Sequence, residues 1–259
     1  MIDTHTHLYF RETYPDGGLE AVERARQAGV ELMVLPSVGL DTADDLLALH
    51  HAAPEGSTAT AVGIHPENVD ADWRAVTDAI FDRFADESPV AVGEVGVDLY
   101  HDATWRLQQM DCFGYQLERA REMNLPVVIH CREALDEVLE IIGNFSGSDR
   151  PRLLFHSFTQ DAEAARRIID AVPDALFGIN GVVTFKNAPA LQAAVAEIGM
   201  PRIVFETDAP YLAPVPLRGR VNESSYLCHI RDKVAALTGV SPEEAERVST
   251  DSARALFRL

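Results

Sequence analysis

Lysine is all but missing from this chain: only Lys186 and Lys233 stand among 22 basic residues, against 41 acidic ones, and the formal net charge is −19. Such a surface repels nucleic acid at low salt, because polyanion binding normally draws on a basic footprint. In molar salt the Debye length falls to about 3 Å and the repulsion largely disappears. Acid excess with scarce lysine therefore predicts a salt-adapted, halophilic source. Cysteine is scarce too. Cys112, Cys131 and Cys228 are widely spaced, which argues against a disulfide framework or a cysteine-based zinc site and predicts free thiols. No apolar run approaches the roughly 18 residues of a membrane span. The chain also opens without a basic segment followed by an apolar stretch, so the expectation is a cytoplasmic protein with no membrane partner. Low-complexity tracts are absent, which argues against disorder.

What is present is a repeating alternation. Strand-like runs near Ile2 to His5, Leu32 to Pro36, Thr58 to Ile64, Val90 to Glu94, Val127 to His130, Leu153 to Phe155, Ala175 to Ile179 and Ile203 to Glu206 are separated by amphipathic stretches. Val138, Leu139 and Ile142, or Ala165, Ile168, Ile169 and Val172, fall at helical spacing, and so do Leu191, Ala194, Val195 and Ile198. Asp161 and Ser241-Pro242-Glu243-Glu244 read as helix starts. Repeated βα units imply a parallel sheet. Eight of them in about 250 residues match a closed barrel. An open doubly wound sheet usually shows a Gly-rich phosphate turn after its first strand, and none is there. The expected fold is α/β, a single TIM-like (β/α)8 barrel forming one domain over residues 1–259. Residues 209–225, rich in Pro, Gly and Arg, read as a long loop over its mouth.

The apolar runs end in polar groups of one kind. AVGIH ends at His65, PVAVGE at Glu94, PVVIH at His130, RLLFH at His156, and RIVFETD at Glu206 and Asp208. MIDTHTH opens with His5 and His7, which share one side of a strand of period two. Imidazoles and carboxylates at the ends of buried strands need a polar task. Converging strand ends are how a parallel barrel builds a reaction centre. The imidazoles of His5, His7, His130 and His156 with the carboxylates of Glu94 and Asp208 exceed the three protein ligands of one catalytic zinc. Two divalent metal ions about 3.5–4 Å apart fit them better. One carboxylate then bridges, and Glu94, mid-chain between the histidine pairs, is the candidate. Imidazole-rich donors suit Zn, whereas phosphoryl hydrolysis suits Mg or Mn, so the metal stays open among the three.

These segments also carry a family likeness. MIDTHTHL, VGIHP, VGEVGVD, PVVIHCREA, FHSF, GVVTFKNAPAL and ETDAPYLAP, in that order over nearly the whole chain, resemble the TatD-type metal-dependent deoxyribonucleases of the amidohydrolase superfamily. The resemblance implies His5, His7 and Asp208 on one metal, His130 and His156 on the other, and Glu94 between them. It implies that His65 reaches the substrate, and that the substrate is DNA. Two departures stand out. Val221-Asn222-Glu223-Ser224 replaces the family's Arg-Asn-Glu-Pro, removing a phosphate contact that neighbouring Arg220 is placed to supply. FHSFTQD lacks the glycine usual after the sixth strand.

Two ions sharing a water supply both nucleophile and electrophile, so no protein nucleophile is needed. Asp208 is the general-base candidate. Glu206, two residues earlier, reads as an orienting group behind the ligands, and Asp3 likewise. Arg132 offers a fork to phosphate, or pairs with a local acid such as Glu133. Lys186 either holds a substrate anion or is a solvated surface residue. Asp98, Tyr100 and His101 read as a loop shaping the pocket. His50, His51, His101 and His229 read as surface residues, and Cys131 as packing. The leading function is a metal-dependent hydrolase of DNA phosphodiesters. A hydrolase of small phosphoesters or amides is the second reading, since fold and ligands do not choose phosphorus over carbon. A binding or regulatory protein with closed, structural metal sites is the third. The default assembly is a monomer without an obligate protein partner.

Overall fold

The computed structural model describes residues 1–145, 147 and 150–259. Strands and helices alternate: β1 (Ile2–Asp3), α1 (Leu19–Gln27), β2 (Leu32–Pro36), α2 (Leu40–Ala52), β3 (Thr58–Val62), α3 (Trp73–Arg83), β4 (Ala91–Asp98), α4 (Arg106–Met123) and β5 (Val127–Arg132). Then come α5 (Leu135–Ile142), β6 (Leu153–Phe155), α6 (Ala162–Ala171), β7 (Leu176–Ile179), α7 (Pro189–Ile198), β8 (Ile203–Phe205), α8 (Leu227–Thr238) and α9 (Pro242–Phe257). All seven neighbouring strand pairs are parallel and follow chain order.

The seam between β8 and β1 closes through Thr4, whose backbone N–H donates to Phe205 O at 3.0 Å while its hydroxyl donates to the same oxygen at 3.1 Å. Beyond it, Asp208 N donates to His5 O (3.0 Å) and His7 N to Ala209 O (2.7 Å). The result is the expected (β/α)8 barrel. Of the strand boundaries that differ from the sequence pattern, two bear on the site. β1 stops at Asp3, yet residues 4–7 stay extended enough to be held from both sides, by Val34 O on Thr6 N (3.1 Å) and by the β8 seam. β4 runs four residues past Glu94, because its pairing with β5 shifts register between Val92 and Val95 and then continues to Asp98–Arg132. Asp98 is therefore the end of a strand rather than part of a loop.

The barrel interior is filled by small and branched residues, among them Ile2, Val34, Ala59, Ala61, Ala91, Val128, Leu154 and Val204. Ala253, Leu256 and Phe257 of α9 join this cluster and stop the lower end. Arg152 anchors α9 there by donating to the carbonyls of Ala255 and Leu256. A second, larger apolar layer lies between strands and helices. The helix starts follow the sequence. Asp161 Oδ1 accepts from Ala164 N at 3.0 Å and Ser241 Oγ from Glu244 N at 3.2 Å, each satisfying an otherwise unpaired donor of the first turn. With the lower end closed, the upper rim of strand ends and following loops is the open face.

Candidate metal centre

Every histidine and carboxylate expected at a strand end, His65 included, arrives in one place. Glu94, 3% exposed at the middle, offers its two oxygens to two different groups. Oε2 lies 3.1 Å from His5 Nε2 and 3.6 Å from His7 Nε2. Oε1 lies 2.8 Å from His130 Nδ1, 3.3 Å from His156 Nε2 and 3.4 Å from His65 Nε2. Asp208 Oδ1 completes the first group, 3.6 Å from His7 Nε2 and 3.9 Å from His5 Nε2. The imidazole nitrogens also face one another: His5 Nε2 and His7 Nε2 are 3.0 Å apart, and His65 Nε2 and His130 Nδ1 3.1 Å. The rings of His5 and His156 stack with centroids 3.4 Å apart. Opposed ring nitrogens around a shared carboxylate are a donor set that fits divalent cations, which take imidazole and carboxylate together.

The groups behind this cluster set its tautomers. Tyr9, fully buried, donates its hydroxyl to Pro36 O at 2.5 Å, so its oxygen accepts from His7 Nδ1 at 3.0 Å. His7 Nε2 is left with its lone pair toward the centre. His65 has the opposite arrangement. Its Nδ1 accepts from Glu67 N at 3.2 Å, so the neutral ring carries its proton on Nε2, the atom facing Glu94 and His130. Asp98 Oδ2 sits 2.8 Å from His130 Nε2, turning Nδ1 of that ring to Glu94. Glu206 Oε1 lies 3.1 Å from His156 Nδ1 and accepts from Ser157 N at 2.6 Å. Glu206 fits inside the barrel because β7 carries Gly178, where a Cβ would sit 2.0 Å from Glu206 Oε2. Asp3 accepts from Thr207 N (2.9 Å), Thr207 Oγ1 (2.6 Å) and His5 N (3.3 Å), tying the backbones under both metal-facing segments together.

Burial would push the Glu94 carboxyl up, but His156, His5, His65 and the hydrogen bond from His130 outweigh it and hold it well below the usual range. His5 is pushed down by burial to about 3. Burial also works against charge on His130 and His156. Hydrogen bonds to Asp98 and Glu94 nevertheless hold His130 up at about 9, and Glu206 and Glu94 hold His156 up at about 10. The same contest keeps Asp208 low, since the His7 hydrogen bond and His156 outweigh its burial. The buried carboxylates thus favour positive charge on His130 and His156, the kind of charge that a bound divalent cation would supply in its place.

The cluster lies in a pocket of about 560 Å³, whose wall also includes Phe10, Glu67, Asn68, His101, Arg132, Tyr211 and Leu212. Arg132 stands at its edge with the guanidinium 4.1 Å from the Tyr100 ring centroid, and pairs with no carboxylate among the described residues. Lys186 and Arg220 are exposed and lie outside the pocket wall. His101 is half-exposed but lines the pocket and bonds Asp98 Oδ2 through Nδ1 at 2.9 Å, so it is more than a surface residue. His50 is half-buried, 2.8 Å from Thr58 Oγ1. Tyr9 escaped the sequence reading although it continues the period-two series of His5 and His7. Asn222 escaped too. Buried, it donates to Thr207 O (2.8 Å) and Tyr211 O (2.6 Å), pinning the loop that follows Asp208, while its neighbour Glu223 pairs with Arg24 at 2.7 Å.

A parallel barrel with a histidine and carboxylate centre at its strand ends has the architecture of a barrel enzyme. Residues 2–258 match the family model of TatD-related DNases, and the chain belongs to that family. It is 36% identical over 261 residues to the uncharacterized metal-dependent hydrolase YabD of Bacillus subtilis, covering 100% of this chain and 99% of that protein. The 3'-5' ssDNA/RNA exonuclease TatD of Erwinia billingiae is 34% identical over 247 residues, covering 93% and 92%. The crystal structure of the TatD homologue YJJV from Escherichia coli superposes with a TM-score of 0.87 at 24% identity, covering 100% and 98%, a likeness of fold.

Proposed function

We propose that this protein is a divalent-metal-dependent hydrolase that cleaves phosphodiester bonds at the end of a single DNA strand. The observation that carries the reading is the division of Glu94, with Oε2 toward His5 and His7 and Oε1 toward His130 and His156. His5, His7 and Asp208 would hold one ion, His130 and His156 the other, and Glu94 both. Ions bound there supply a water acidic enough to deprotonate near neutral pH and neutralise charge on the attacked phosphorus.

Asp208, whose carboxylate His7 and His156 keep ionised, would be the group placed to accept a proton from that water. His65 donates from Nε2 to a substrate oxygen, since its Nδ1 is already an acceptor. Arg132, at the pocket edge with no carboxylate partner among the described residues, offers its planar fork to a phosphate. The reacting groups are buried at the base of the pocket, so a phosphate has to enter it, which a free strand end does and the interior of a duplex does not. Support for phosphorus over carbon comes from the family and from the nuclease relatives.

Elemental analysis with Mg, Mn and Zn exchange tests the reading, run at high salt on end-labelled single- and double-stranded DNA beside phosphomonoesters and amides. Metal-dependent loss of nucleotides from single strands is expected, abolished by chelation and by His130→Ala in folded protein. Turnover of amides or monoesters with intact DNA would overturn it.

A further inference from the structure

In a chain of net charge −19, most arginines are paired: those of α1, α3, α4, α6 and α9 meet carboxylates. Four on the open face of the barrel have no carboxylate partner among the described residues, namely Arg132, Lys186, Arg218 and Arg220. Three of these four share one place. Lys186 lies on the loop after β7, and Arg218 and Arg220 on the loop after β8. The two loops are joined by Val215 N donating to Thr184 Oγ1 at 2.8 Å and by the Arg218 guanidinium, 4.3 Å from the Phe185 ring centroid. The neighbouring flank, over the loops after β5 and β6, is lined by Glu133, Asp136, Glu137, Asp161 and Glu163, with Arg167 as its one cation.

We propose that Lys186, Arg218 and Arg220 form a second anion subsite, which holds the backbone phosphates of a single-stranded polynucleotide trailing out of the metal pocket. The inference rests on the phosphodiester reading above and adds the path of the rest of the substrate. The loop that supplies Tyr211 and Leu212 to the pocket wall continues directly to Arg218, six residues on, so the subsite is within about 20 Å of the pocket. A few nucleotides span that distance. The acidic flank repels the same backbone, so the two flanks together set a direction. Arg218 is held by its ring before any ligand arrives and loses less freedom on binding. Exposed Val215 and Val221 on the same loop offer apolar contact to unpaired bases, and no feature of the patch reads base identity.

The test compares 5'-labelled oligothymidylates of 3 and 15 nucleotides by fluorescence anisotropy, using the full chain with EDTA, at salt concentrations where circular dichroism shows it folded. Wild-type protein is expected to bind the 15-mer at least ten-fold more tightly. The triple variant Lys186→Gln, Arg218→Gln, Arg220→Gln should lose that preference, and the slope of log K against log salt should fall by about 2, three contacts at roughly 0.7 each. A wild-type protein that cleaves DNA yet shows no length preference, or a folded variant that keeps both preference and slope, would overturn the subsite and leave the catalytic reading standing. Failure of the wild-type protein to cleave DNA with any metal would remove both.

Discussion

Tyr9 gives its proton to Pro36 O and therefore receives one from His7 Nδ1, 3.0 Å away. A phenol with both roles taken fixes the imidazole as the Nδ1–H tautomer and leaves Nε2 as the donor atom. Tyr9→Phe removes the acceptor while keeping the ring. Metal affinity should fall 10- to 100-fold, as for other groups that orient a ligand from behind, with a stability loss of about 1–3 kcal/mol from the unpaired Pro36 carbonyl. Titration calorimetry with Mn or Zn reads the first and thermal unfolding the second. Unchanged metal affinity would show that the tautomer is set by something else.

Asp98→Asn keeps an oxygen for the N–H groups of Tyr100 and His101, each 2.9 Å from Oδ1, but removes the charge facing His130 Nε2. Turnover and metal content should drop together, by 10- to 100-fold in affinity. Steady-state kinetics beside elemental analysis decides it, and wild-type values for both would contradict the pairing.

A methyl group at position 178 collides with Glu206, so Gly178→Ala should destabilise by about 1–3 kcal/mol, the usual range for overpacking. The loss should not add to that of Glu206→Ala, because the second change removes the atom struck by the first. A double-mutant cycle by denaturant unfolding measures the coupling, and simple additivity would rule out the clash.

Burial pushes the Cys112 thiol up to about 12, against weaker help to the thiolate from Thr77 and Gln116. A raised thiol pKa means less thiolate, on the order of 10⁻⁴ of the population at pH 8, and the thiolate is the reactive form. Iodoacetamide should leave Cys112 unmodified in the folded protein between pH 7 and 9 and label it once the chain is denatured. Mass spectrometry of tryptic peptides would expose the opposite result as carbamidomethylation of native Cys112.

The acid excess makes a claim about solvent. Self-repulsion at −19 weakens as salt screens it, so the unfolding temperature should climb as KCl is raised from 0.1 to 2 M, a range on the order of the one over which the Debye length shrinks from 10 Å toward 3 Å. A flat curve would leave the lysine deficit without a role in salt adaptation.

The barrel was legible because each strand announces itself twice, by an apolar run and by the amphipathic stretch that follows it. The centre was legible because His5, His7, His65, Glu94, His130, His156 and Asp208 end such runs, where an apolar core gives them no partner. Asp98 was misread as loop because the register shift after Val92 depends on the neighbouring strand, which local alternation does not report. Tyr9 acts through the carbonyl of Pro36 and Asn222 through those of Thr207 and Tyr211, tertiary contacts that local patterning does not report. The sealing of the barrel by α9 was invisible for the same cause: Ala253 and Phe257 look like any helix face until the space they fill is known.

That seal has a consequence for traffic. With Leu256 and Phe257 seated below the strands, the barrel is a blind well and not a tunnel. On the proposed reading, product would leave by the same mouth through which substrate enters, so cleavage and exit would compete for a single doorway.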